Sequence, residues 1–102
     1  MNVETQFTQD NKVLTISING DFNFLLLNEF RKAYNNDEAD KAEKIVVDMR
    51  KTETIDSSAL GMLLNMQRHL KKSNGEISIV NCNSVVEKIF NITHFEKKFS
   101  IE

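Results

Sequence analysis

The chain contains no proline, one cysteine and three glycines, so the usual devices for interrupting or stapling a polypeptide are nearly absent. With no proline and no glycine-rich stretch there is no flexible linker to divide the 102 residues. That length is one domain's worth, and a single domain over residues 1–102 is expected. Cys82, standing alone, excludes an intrachain disulfide and any multi-cysteine zinc site, and it fits a reducing compartment. Long apolar runs are missing as well: the longest is about four residues, against the ~20 that a membrane-spanning helix needs. The start, Met1-Asn2-Val3-Glu4, lacks the charged and apolar regions of a signal peptide. Nor does one sign of charge dominate, since a formal net charge of −2 gives no global attraction for nucleic acid. The basic pairs Lys71-Lys72 and Lys97-Lys98 carry no interleaved aromatic residues and read as solvated faces. These absences point to a cytoplasmic protein that neither inserts into a membrane nor binds nucleic acid.

What is present is an ordinary globular mix, 40% hydrophobic and 27% charged, enough for a modest core. Val3, Thr5 and Phe7 alternate with Glu4 and Gln6, and Leu14, Ile16 and Ile18 share one face of a second alternating run. The short polar link between them predicts an antiparallel hairpin. Asn19-Gly20-Asp21 breaks the pattern, with Gly20 free to take positive φ. Asn23 is placed to cap a helix from Phe24 to about Asn35, with Leu26, Leu27, Phe30, Ala33 and Tyr34 at helical spacing. Residues 37–43 read as a charged surface loop. Ile45 to Met49 is apolar without alternation, which predicts a central strand covered on both faces.

A loop of six residues then leads to Asp56-Ser57-Ser58, which opens a helix carrying Ala59, Met62, Leu63, Met66 and Leu70 on one stripe. Ser73-Asn74-Gly75 should stop it, with Asn74 or Gly75 in the left-handed position. Glu76 to Val80 reads as a further strand. Ser84-Val85-Val86-Glu87 has capping-box spacing ahead of a short helix ending near Asn91. Phe95, Phe99 and Ile101 anchor a tail, and Cys82 reads as a small buried hydrophobe. The order β-β-α-β-α-β-α, with two strand–helix–strand units in succession, predicts a mixed α/β sheet. It opens with an antiparallel hairpin, continues in parallel strands, and has helices packed against it.

The Asp56-Ser57-Ser58 corner has a bland reading and a sharper one. On the bland reading Asp56 is a helix cap and the serines are filler, because aspartate and serine are what any helix start favours. The sharper reading rests on position: the apolar stripe fixes the helix against the sheet, so its first turn stands rigidly at the end of a central strand. In open α/β sheets that mouth is where ligands and partners engage.

Val46-Val47-Asp48-Met49, the loop, and Asp56-Ser57-Ser58-Ala59-Leu60-Gly61-Met62-Leu63 together resemble the signature of STAS domains, in particular the single-domain anti-sigma factor antagonists of bacteria. The resemblance spans essentially the whole chain, including Gly20-Asp21-Phe22-Asn23 before the first helix. It implies a phospho-regulated binding module of a partner-switching pathway. The unmodified form would bind an anti-sigma factor that is also a serine-protein kinase, phosphorylation of Ser57 (Ser58 the second choice) would release it, and a PP2C-type phosphatase would reset it. The binding surface would comprise Asp21, Phe22, Asn23, Asp56, Ser57, Ser58, Ala59 and Leu60, with Phe22 either a partner anchor or a core residue. Ala59 departs from the glycine usual in the family, and its methyl narrows the approach of a partner backbone. An alternative within the same fold is a constitutive structural subunit of a lipid-transport complex, whose serines serve only as caps.

The physics of a switch is independent of the resemblance. A phosphoryl group adds about −1.5 to −2 charge, which a helix N-terminus favours by roughly 0.3–1 kcal/mol. A like charge on a docked partner about 4 Å away is repelled by roughly 4 kcal/mol at an effective dielectric near 20. Modification would therefore end binding without unfolding the chain. Catalytic chemistry finds little support. His69 and His94 lack paired ligand spacing, no histidine stands beside Ser57 as a base, and the glycines at 20, 61 and 75 form no phosphate loop. The chain reads as a kinase's substrate and not as an enzyme, with no cofactor and no metal.

Overall fold

The computed structural model describes residues 2–72 and 74–102. Strands β1 (Val3–Thr8) and β2 (Val13–Ile18) form the expected antiparallel hairpin, Val3 opposite Ile18 and Thr8 opposite Val13. Gly20, at φ +85°, turns the chain into the short strand β3 (Gly20–Phe22). Asn23 then caps a 3-10 turn over Phe24–Leu26 that runs into helix α1 (Leu27–Tyr34).

The stretch read as a charged loop holds a short helix, α2 (Asp37–Lys41), capped by Asn36, whose Oδ1 accepts from the Ala39 amide at 2.9 Å. Its charges hid it, for only Ala39 and Ala42 turn inward, and both are buried. Strand β4 (Lys44–Asp48) follows, then β5 (Thr52–Ile55), which occupies most of the expected six-residue loop. Helix α3 (Ser57–Leu70), strand β6 (Ile77–Val80), helix α4 (Ser84–Ile92) and a two-residue strand β7 (Ser100–Ile101) complete the chain.

The main sheet is five-stranded in the order β1-β2-β4-β6-β7, antiparallel only in its first pair and parallel thereafter. The tail supplies the last strand. Phe90, Phe95 and Phe99 stack in series at 5.4 Å centroid spacings, and this column seats Ile101 beside Ile79. The two strands β3 and β5 pair with each other in a separate parallel ribbon.

Leu14, Ile16 and Ile18 align with Ile45 and Val47, and these with Ile77 and Ile79, on one buried face that shares its core with all the α-helices. The opposite face carries Thr15, Val46 and Ser17, all half-exposed, with Ser78 buried among them. Strand β4 is thus covered on one side only. Its uninterrupted apolar run misled because Val46 faces the open side between Thr15 and Ser78.

Two helix ends also differ from expectation. Lys71, at φ 55°, takes the left-handed position that closes α3, where its amide bonds to the Arg68 carbonyl and that of Lys72 to the Gln67 carbonyl. The closure comes before the expected Asn74-Gly75 stop, whose Ser73 lies outside the described residues. The cap of α4 is Asn83, one residue ahead of the expected Ser84, because Asn83 keeps extended backbone while its Oδ1 accepts from the Val86 amide at 2.8 Å.

Candidate functional site

The ribbon of β3 and β5 builds the corner. Its register sets Asp21 against Thr54 and Phe22 against Ile55, so both strands deliver a helix start at the same end. One start is Asn23, whose Oδ1 accepts from the Leu25 amide at 2.9 Å. The other is Asp56, whose Oδ1 accepts from the Ala59 amide at 3.0 Å and from the Ser58 hydroxyl at 2.6 Å. The Ser58 hydroxyl first, and then the Ala59 amide, hold the Asp56 carboxyl below the usual aspartate range.

The two serines consequently differ. Ser58 is half-buried and its hydroxyl is committed to Asp56. Ser57 is exposed in the first turn, and among the described residues its hydroxyl makes no hydrogen bond. An exposed, uncommitted alcohol at the positive end of a 14-residue helix is an accessible acceptor for an anionic group.

Polar links hold the ribbon to the rest of the molecule. The buried Thr52 donates its hydroxyl to the Ile18 carbonyl at 2.7 Å, and the Gly20 amide donates to the Lys51 carbonyl at 2.8 Å. On the other side of β5, the Asn83 amide group donates to the carbonyls of Thr52 and Glu53, at 3.0 Å each. Asn83 thereby caps α4 and grips β5 with one side chain, leaving the corner little room to move. Sequence reasoning missed Thr52 and Asn83. The β-branched alternation of Thr52-Glu53-Thr54-Ile55 was a strand signal, but a short and polar one.

The residues expected at the surface separate into two groups. Asp21, Asp56 and Ser57 are exposed, and Asn23, Ser58 and Leu60 are half-buried around them. Phe22 and Ala59 are fully buried, so neither can touch a partner. The Phe22 ring packs 5.1 Å from that of Phe30, centroid to centroid, as a core residue. The Ala59 methyl points into the same core, so it cannot narrow a partner's approach. Two exposed residues that the reading passed over, Phe24 and Leu25, stand on the turn after Asn23.

Residues 20–28 and 52–67 contain Asp21, Glu53 and Asp56, all exposed, and no lysine or arginine. Other candidate chemistry lies elsewhere. His69 sits in the last turn of α3, with its ring edge on Tyr34. Cys82 is half-buried, and burial, with Glu87 adding to it, pushes its thiol up to about 11. A surface depression of about 170 Å³ is lined by Glu4, Ser17, Asn19, Asp48, Arg50 and Lys51, none of them at the corner. Among the described residues no helix is long and apolar enough to cross a membrane.

The chain matches known proteins along most of its length. The family model for the STAS domain matches residues 3–102. A STAS-domain containing protein of Pseudomonas aeruginosa is 44% identical over 92 residues, which is 90% of either chain. Among solved structures, an anti-sigma factor antagonist from Mycobacterium paratuberculosis is similar with a TM-score of 0.75 at 19% identity, over 97% of this chain and 84% of that one. The Bacillus cell fate determinant SpoIIAA, solved in its phosphorylated form, is similar with a TM-score of 0.70 at 16% identity, over 98% of this chain and 90% of that one.

Proposed function

Because this chain belongs to the STAS domain family, we propose that it is a binding module switched by phosphorylation of Ser57. The unmodified form binds an anti-sigma factor with serine-kinase activity, or a comparable regulator, in the cytoplasm. Phosphorylation releases that partner, and a PP2C-type phosphatase restores the binding form. In the modifying step the Ser57 hydroxyl oxygen attacks the γ-phosphorus of ATP held by the kinase. ADP leaves, and the hydroxyl proton passes to a base on the kinase. The chain supplies the acceptor and no catalytic group.

The single observation that carries this reading is the inequality of the two serines. Asp56 caps the helix on either reading; what singles out Ser57 is that it stands exposed and unbonded while the Ser58 hydroxyl is tied to Asp56. The helix N-terminus accommodates the added dianion, so the mark is compatible with an intact fold. Similarity to a protein solved in a phosphorylated form supports the same reading.

Mass spectrometry after incubation with the cognate kinase and ATP is expected to place the phosphate on Ser57. Modification confined to any other residue, Ser58 included, would overturn the assignment. In calorimetric titrations Ser57→Ala is expected to bind like the unmodified chain, and Ser57→Glu to bind more weakly, by as much as about three decades. Equal affinity for the two variants would remove the charge argument.

A further inference from the structure

The two edges of the main sheet are guarded unequally. At one edge β7 has two residues, too short to template another chain. At the other, β1 runs for six residues without proline, and its register with β2 has no bulge. Its one charged side chain, Glu4, is tied back to Asn19 at 2.9 Å. Across the hairpin the Asn19 amide bonds to the Asn2 carbonyl at 2.8 Å, one step beyond the match of Val3 with Ile18. An antiparallel ladder alternates from such a pair, so Glu4, Gln6 and Thr8 bond to β2 while Val3, Thr5 and Phe7 turn their backbone groups outward. Val3 confirms the direction, for its amide leaves the sheet to reach the Glu29 carboxylate of α1 at 3.2 Å. Thr5 and Phe7 have no such cover: among the described residues nothing takes up their outward amides and carbonyls.

We propose that the outer edge of β1 receives an extended acidic segment of another protein, added to the sheet as a further strand. Main-chain bonds to Thr5 and Phe7 would supply affinity, and side chains at alternate positions would supply selectivity. Room for those side chains exists on the helix side of the edge. One surface depression, of about 250 Å³, is lined by Val3, Thr5 and Ala33, and a second, of about 290 Å³, by Phe7. Lys32 borders the first, and Lys12 and Lys41 the second, all three exposed. The one carboxylate in these linings, Glu29, is already bonded to Val3. Carboxylates are the complementary charge for such a rim. A second copy of this chain is a poorer occupant. Two-fold pairing of β1 with itself would set the Val3 end of one copy beside the Phe7 end of the other, and so Lys32 beside Lys12 and Lys41. None of these residues lies in the β3–β5 ribbon or in α3, so the proposal does not depend on Ser57.

The test titrates the isotope-labelled full chain with two end-capped hexapeptides, one alternating valine and glutamate, the other valine and lysine. Amide NMR spectra are the readout. The glutamate peptide is expected to shift the Thr5, Phe7 and Ala33 amides and to slow hydrogen exchange at Thr5 and Phe7, and the lysine peptide to do neither. Thr5→Pro removes an outward donor and leaves the hairpin ladder intact, since an edge strand accepts proline where its N–H faces away from the sheet. It is expected to weaken the glutamate peptide roughly tenfold. Lys32→Glu/Lys41→Glu is expected to reverse the preference between the two peptides, by an amount that shrinks as salt is raised. Should Thr5→Pro melt well below the wild type, the lysine variant, altered only at exposed positions, decides alone. Undisturbed β1 amides at millimolar glutamate peptide would overturn the proposal, as would equal responses to the two peptides or a response that both variants leave unchanged. A wild type that sediments as a dimer while Thr5→Pro is monomeric would also overturn it, by making the edge a contact between copies of this chain.

Discussion

Asn23 and Asp56 occupy equivalent places at the ends of two paired parallel strands, yet the turns that follow them present opposite chemistry. Each side chain accepts a bond from an amide of its own first turn, at 2.9 Å for Asn23 and 3.0 Å for Asp56. Beyond Asn23 the exposed side chains are a phenylalanine and a leucine, and beyond Asp56 the exposed side chain is a bare serine. Once a cap satisfies a free amide, the next side chains owe little to folding, and their character is open to selection for contact or for modification. The neutral cap precedes the apolar turn, and the charged cap precedes the hydroxyl turn. The second arrangement keeps a carboxylate next to any phosphate added there.

Five substitutions break or sharpen that comparison. The largest effect is expected from Phe22→Ala, which empties the core beneath both turns and should cost about 3–5 kcal/mol in urea unfolding. Both helix starts should then lose amide protection together. Asn83→Ala should cost about 1–3 kcal/mol, because it leaves the Val86 amide without its cap and two β5 carbonyls without their donor. Hydrogen exchange should speed up at β5 and α4 more than at β1 and β2.

Third comes the direct contest between the caps. Asp56→Ala is expected to cost about 1–2 kcal/mol and Asn23→Ala closer to 0.5, since Asp56 also accepts from Ser58 and its charge sits at the end of a long helix. Acid should separate them further. The Asp56 carboxyl is depressed in the folded state, so its contribution is complete above the ordinary aspartate range and is lost as pH falls through the depressed folded value. Thermal melts across that window should converge for wild type and Asp56→Ala, while the Asn23→Ala difference stays constant. Lys71→Gly has the opposite sign and is expected to stabilise by about 0.5–1 kcal/mol by removing a left-handed lysine. Lying at the far end of α3, it should leave the Asp56 pH dependence unchanged.

The main sheet was legible because Leu14, Ile16 and Ile18 repeat with the period of a strand and end on one buried face. The corner was legible because Asp56-Ser57-Ser58 combines a cap with an apolar helix stripe. The ribbon between them was not, since Thr52 and Asn83 act through backbone carbonyls far away in sequence, and no local pattern records that. Helix α2 was hidden for a related reason: Ala39 alone, with Ala42 just past its end, carries the burial. Phe22 and Phe24 show the limit most clearly. Two phenylalanines sit two residues apart around one asparagine, one wholly inside and the other largely in water, because β3 ends at Phe22 and Phe24 belongs to the turn that Asn23 caps.

The division of labour between Asp56 and Ser57 also bears on how such a chain changes over generations. Because the neighbouring carboxylate already ties down the helix start, replacing residue 57 with threonine, alanine or glutamate never passes through a poorly folded intermediate. If Ser57 is the proposed switch, a single codon change there can remove the switch or fix it in one state while Asp56 keeps the helix capped.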